Sequence, residues 1–218
     1  MEIPWLIYAG SFSQGLPLLV ALIRHQELGK ARKWILIWCG FLVSMSALSL
    51  ILARANQNNH WMSYVLTPVA AAMVLWGLSC WQPSAQPTLA VRVLIPLLIL
   101  AWIPIVLLVE DTRKFSLLGE PFAGLVVLIA AVYTLAARTL RETGRVPRQD
   151  WFWATTGIAI YHGTVVALHP TSYWLLQKHR ELVVQVLQAK SVVEIVAFLT
   201  ISWGMVLPPS PARTTLRG

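Results

Sequence analysis

The chain has 218 residues, 57% of them hydrophobic and only 12% charged, with a formal net charge of +8. That composition excludes an ordinary soluble globular domain, because too little of the chain lies outside apolar runs to build one. The charge does not point to nucleic acid either: it sits in short links between apolar runs, where it meets anionic lipid headgroups.

Seven runs reach the roughly 20 residues, at about 1.5 Å each, that a bilayer-crossing helix needs. They lie near 4–23, 34–53, 61–81, 88–109, 121–138, 151–169 and 182–206. The expected fold is an all-α membrane protein, one seven-transmembrane-helix bundle over 1–207 with a short tail over 208–218. Short links force neighbouring helices to run antiparallel.

The first span opens Met1-Glu2-Ile3-Pro4-Trp5, with no basic n-region and no small-residue cleavage site, so it reads as a retained helix rather than a signal peptide. It carries Tyr8, Ser11, Ser13 and Gln14, and the second span carries Ser44, Ser46 and Ser49. Asn56, Asn58 and Asn59 lead into the third span, where His60, Ser63, Tyr64 and Thr67 share one helical face. Gln82-Pro83-Ser84-Ala85-Gln86-Pro87 is a rigid break before the fourth span. Pro68, Pro96 and Pro104 predict kinks or local rearrangement within spans. Glu110-Asp111 and Gly119-Glu120 read as a solvated acidic rim.

The sixth span places Thr155, His162 and His169 at heptad spacing, with Tyr161 alongside. The seventh holds Lys190 and Glu194 at i, i+4, close enough for an ion pair on one face. Counted from the outer end, Lys190 lies roughly 12 Å deep and Glu194 roughly 18 Å deep. Lys190 can snorkel outward on its long stem. Glu194 cannot, so it needs a partner, a proton or a watery cavity; Lys190 is the first partner expected and His162 the second.

Basic residues favour one side. Arg24, Lys30, Arg32, Lys33, Arg92, Arg138, Arg141, Arg145, Arg148, Arg213 and Arg217 stand against Arg54, Arg113, Lys114, Lys178 and Arg180. The second side also holds Glu2, Glu110, Asp111, Glu120 and Glu181. The positive-inside rule then puts the N-terminus outside and the C-terminus in the cytoplasm. Cys39 and Cys80 fall near cytoplasmic helix ends, which argues against a disulfide or a cysteine metal site.

The bland reading of the polar stripes is interhelical hydrogen bonding that holds the bundle together. The functional reading makes His60, Tyr64, Thr67, Tyr161, His162, Lys190 and Glu194 a ligand or proton site. No third ligand joins His162 and His169, so no metal is expected. No cofactor is expected either, although a lysine in the last of seven helices invites a retinal Schiff base on Lys190. Against retinal, the third span offers no carboxylate counter-ion, and the aromatic residues of the sixth lack the spacing that boxes a polyene. An intramembrane enzyme needs a carboxylate pair, a Ser/His set or a metal cluster, and here one deeply placed carboxylate stands alone.

The pattern Asn58-Asn59-His60-Trp61-x-x-Tyr64-x-x-Thr67-Pro68 resembles that of a family of small uncharacterised bacterial seven-helix membrane proteins. The run Phe152-Trp153-x-x-Thr156-Gly157-x-x-x-Tyr161 resembles the same group. Family members often carry a glutamate just after the Thr-Pro and asparagines in the last helix. This chain has Val69 and Ala70, then Lys190 and Glu194, at those places. The resemblance implies a multi-pass protein of the bacterial inner (plasma) membrane and no particular ligand.

Three roles follow as expectations. The first is a receptor-like or sensory subunit with a polar cavity, passing its signal to a separate cytoplasmic or membrane effector protein. The second is a small-solute or proton-coupled transporter using His162, Lys190 and Glu194; the missing internal repeat counts against it. The third is a structural subunit of a membrane complex. The lipid bilayer is the certain partner, nucleic acid is not one, and the apolar exterior is equally compatible with a homo-oligomer.

Overall fold

The computed structural model describes residues 4–24, 28–114, 116–142, 144–178 and 180–208. Glu2, the tail from Pro209 onward with Arg213 and Arg217, and the side chains of Arg180 and Glu181 lie outside what is described. The helices are α1 (Trp5–Ser13), α2 (Leu16–Arg24), α3 (Lys30–Arg54), α4 (Trp61–Cys80), α5 (Ala85–Pro104), α6 (Gly119–Thr139), α7 (Asp150–Lys178) and α8 (Arg180–Val206). No strand occurs among the described residues.

Five of these are long and apolar enough to cross a membrane: α3, α4, α5 with its extension to Val109, α6, and Leu182–Val206 of α8. The first expected span is broken into α1 and α2, bent by 47°, and makes a sixth crossing if the pair is one span. Pro17 supplies the reason. It has no N–H to give, and in a continuous helix its ring would clash with the carbonyl of Ser13, so α1 stops there and α2 restarts. The sixth expected span is α7, which has the length at 29 residues but not the apolarity of the others. Many of its polar side chains turn inward instead: Thr155, His162, Thr164, His169 and Ser172 are all buried. Large apolar side chains such as Leu100, Leu107, Leu108 and Ile129 stay exposed on the helix exteriors. This is a multi-pass helical membrane protein.

Each proline-related irregularity has a local answer. Pro68 cannot donate to the Tyr64 carbonyl one turn back, and the Trp102 indole of α5 donates to it instead at 3.0 Å. After Pro104 the chain widens into a π turn, Ile105–Val109, closed by the Glu110 N–H on the Ile105 carbonyl at 3.1 Å. Helix α3 ends on Asn56 in the left-handed region, φ 54°. The Asn56 and Gln57 N–H groups then return to the Ala53 and Leu52 carbonyls, a Schellman-type stop.

Chain neighbours pack antiparallel, with α7 laid most extensively on α8 and then on α6. Small residues allow the α7–α8 approach: a Cβ at Gly157 would lie 2.5 Å from the Ala197 carbonyl oxygen, and one at Gly204 would lie 2.9 Å from that of Asp150. The core of Ile35, Trp38, Leu75, Trp151, Ile158 and Phe198 joins α3, α4, α7 and α8. Beside it, Arg32 leaves the basic link where the sequence places it and turns into the protein. Its Nε donates to Asp150 Oδ2 at 2.8 Å and its Nη2 to the Leu207 carbonyl at 2.7 Å. Arg32 therefore ties α3 to α7 and to the end of α8, and is not a headgroup contact.

Candidate functional site

A cavity of about 510 Å³ opens between α1, α3, α4, α6, α7 and α8. Its mouth is at the end of the bundle where α3 finishes and α4 and α6 begin, beside the exposed Ala53 and His60. Its floor is Trp38 and His162. Beyond the floor, Ile35, Val74, Ile158 and Phe198 are fully inaccessible, so the cavity is blind.

Helix α8 brings the charge. Lys190 Nζ lies 3.2 Å from Glu194 Oε1, the ion pair expected from their i, i+4 spacing. The side chains are 29% and 7% exposed, and both line the cavity. Lysine, the long one, reaches toward the mouth while the carboxylate stays deep. No hydrogen bond joins Glu194 to His162 among the described residues, so the second expected partner is not used.

His162 has a different environment. Its ring stacks on Trp38, centroids 5.9 Å apart at 23°, and Tyr161 meets it edge-on at 5.0 Å. Both ring nitrogens are buried with no hydrogen-bond partner among the described residues. A neutral imidazole carries one donor and one acceptor, and leaving them unmade costs about 1–3 kcal/mol each. His162 borders the cavity, but neither ring nitrogen is accessible from it.

Six of the seven residues expected at a site meet here: His60 at the mouth, Thr67 on the wall, and Tyr161, His162, Lys190 and Glu194 within. Tyr64 does not join them. At 100° per residue it sits about 40° from His60, on the opposite side from Ser63 and Thr67, and that turns it toward the end of α5. Its hydroxyl lies 3.2 Å from both the Asp111 and Lys114 carbonyls, to which it donates, and so pins the loop before α6.

Glu120 is the residue that sequence reasoning missed. Taken for solvated rim, it stands in the first turn of α6 and lines the cavity. His169 supports it from α7: its Nε2 lies 3.0 Å from the Ser116 carbonyl and 3.4 Å from Glu120 Oε2. The signal was an acidic residue at a helix start on the same side as Lys190, but nothing in the sequence says which way it turns. Glu110, also taken for rim, caps α6 instead. Its carboxylate accepts from the Leu118 and Gly119 N–H groups at 2.7 and 3.2 Å and from the Ser116 hydroxyl. Asp111 alone stays on the surface. Its carboxyl is held below the usual range by the Arg113 backbone N–H, then by Lys114.

Trp38, Gln14 and Ser46 complete the wall from α1 and α3, and the Ser46 hydroxyl donates to Gln14 Oε1 at 3.2 Å. The arrangement suits a small molecule offering charge to the carboxylates and an apolar face to Tyr161, Tyr8 and Phe12. No protein-family model, no curated protein and no solved structure matches the chain.

Proposed function

We propose that this protein is a receptor-like or sensory membrane subunit that binds a small solute in the blind cavity and signals through a separate effector protein. The observation that carries the reading is the cavity itself. It has a mouth at one end of the bundle, a charged wall from α8 and α6, a buried histidine with no hydrogen-bond partner among the described residues, and a floor closed by buried core side chains.

The reading takes α7 as a seventh span. At about 1.5 Å per residue its 29 residues measure about 43 Å, enough to cross a bilayer. It also lies antiparallel between two helices that have the length and apolarity to span. The N-terminus is then outside, because the links after α2, α4 and α6 are the more basic ones. The cavity mouth opens at the opposite end from those links, toward the periplasm of a bacterial inner membrane. Output would pass at the basic end, where Arg138 bonds the Trp81 carbonyl and Arg141 bonds Ser84, linking α6 to the α4–α5 turn.

A transporter is the second reading, favoured by the deep Lys190–Glu194 pair. The two readings differ in access. In a Cys80→Ala background, where the remaining Cys39 is fully buried, Thr67→Cys is expected to react with a membrane-impermeant maleimide from the outside only. Equal labelling from both sides would replace the receptor reading with alternating access, and no labelling from either side would remove the cavity reading.

A further inference from the structure

Resting on that cavity reading, we infer that the ligand is an organic monocation: an ammonium-type head for the carboxylates, attached to a flat apolar body. The argument begins with charge. Among the described residues, Glu120 and Glu194 line the cavity, Lys190 is the one lysine that does, and no arginine does. With histidines neutral the lining carries one more negative than positive charge. Lys190 does not cancel both carboxylates. It is paired at 3.2 Å with Glu194, and Glu120 acts on it only through its field. A monocation completes the balance, and complementary charge favours it over a neutral or anionic molecule of the same shape.

The remaining wall suits the rest of such a molecule. Tyr161 presents aromatic surface on the α7 side, and Tyr8 and Phe12 do so on the α1 side. Aromatic faces attract organic cations through the ring quadrupole. A bare metal ion offers no flat surface to match these rings. The volume of about 510 Å³ falls in the range of about 300–1,000 Å³ typical of small-molecule sites.

Three indoles of nearly equal size test the charge: tryptamine (cation), tryptophol (neutral) and indole-3-acetate (anion). The readout is protection of Thr67→Cys, in the Cys80→Ala full-length protein in nanodiscs, against the impermeant maleimide. Tryptamine is expected to protect at about tenfold lower concentration than the other two, since a charged hydrogen bond is worth about 1.5–3 kcal/mol. Glu120→Gln should weaken tryptamine by about tenfold, and Lys190→Gln should strengthen it, because each changes the balance in a known direction. Glu120, at the half-exposed mouth, keeps the test valid if Glu194→Gln does not fold. Equal protection by all three indoles, strongest protection by indole-3-acetate, or indifference to Glu120→Gln would overturn the inference. If Thr67→Cys is labelled but no indole protects it, the monocation inference fails and the accessible cavity stands. If Thr67→Cys is never labelled, both fall.

Discussion

The Trp102 indole N–H donates at 3.0 Å to the Tyr64 carbonyl, filling the place of the backbone N–H that Pro68 lacks. One helix thereby repairs the break in its neighbour, and α4 stays continuous past a proline lying one residue from the cavity wall. Trp102→Phe should lower stability by about 1–3 kcal/mol, the cost of an orphaned buried carbonyl. In the Pro68→Ala background, where the backbone can supply its own donor, the same substitution should cost measurably less. Denaturant unfolding in mixed micelles of the four proteins in this cycle measures the coupling.

At the sealed end, the Arg32–Asp150 pair has side chains only 1% and 4% exposed. Breaking it by Asp150→Ala should cost about 3–5 kcal/mol, because Arg32 is left charged and buried. Replacing both, Arg32→Met with Asp150→Leu, should cost less than that single change. If Asp150→Ala unfolds at the wild-type denaturant concentration, the pair is not holding the end shut.

Close helix approach makes Gly157 intolerant. An added Cβ would meet the Ala197 carbonyl oxygen at 2.5 Å, so Gly157→Ala should separate α7 from α8 and lose about 1–3 kcal/mol. Gly29 has nothing within 4 Å, so Gly29→Ala should leave the melting temperature within error. The contrast controls for any general effect of glycine replacement.

Tyr64 separates site from scaffold. Tyr64→Phe removes the hydroxyl that holds the Asp111 and Lys114 carbonyls and should loosen the loop before α6. Amide exchange there should rise, while Thr67→Cys should keep its reactivity toward maleimide. A change in that reactivity comparable to the change in exchange would put Tyr64 back in the site.

The seven-span reading has its own check. Lys114→Cys and Lys178→Cys should label from outside intact cells, and Arg145→Cys only after permeabilisation. Labelling of Lys178→Cys and Arg145→Cys from the same side would mean that α7 does not cross.

How much was legible varies with the kind of residue. Lys190 and Glu194 were readable as a pair because a helix alone places i and i+4 together, and the structure has them at 3.2 Å. The broken first helix was readable in principle from Pro17, whose missing donor acts within one turn, although an apolar run hides it. Glu120, Arg32 and Tyr64 were not readable. Glu120 and Arg32 were assigned by their position along the chain and Tyr64 by its helical face, and each is decided by which neighbour its helix turns toward.

That division has a physical origin. Apolar content over about 20 residues determines that the helices are membrane-spanning, and short links determine that neighbours run antiparallel. Both are properties of a segment and its solvent. The rotation of each helix about its axis is set by packing against the others: Gly157 against Ala197, Arg32 against Asp150, Trp102 against Tyr64. Only that packing brought Glu120 from α6, His162 from α7 and Lys190 from α8 around one cavity, and sent Tyr64 away from it.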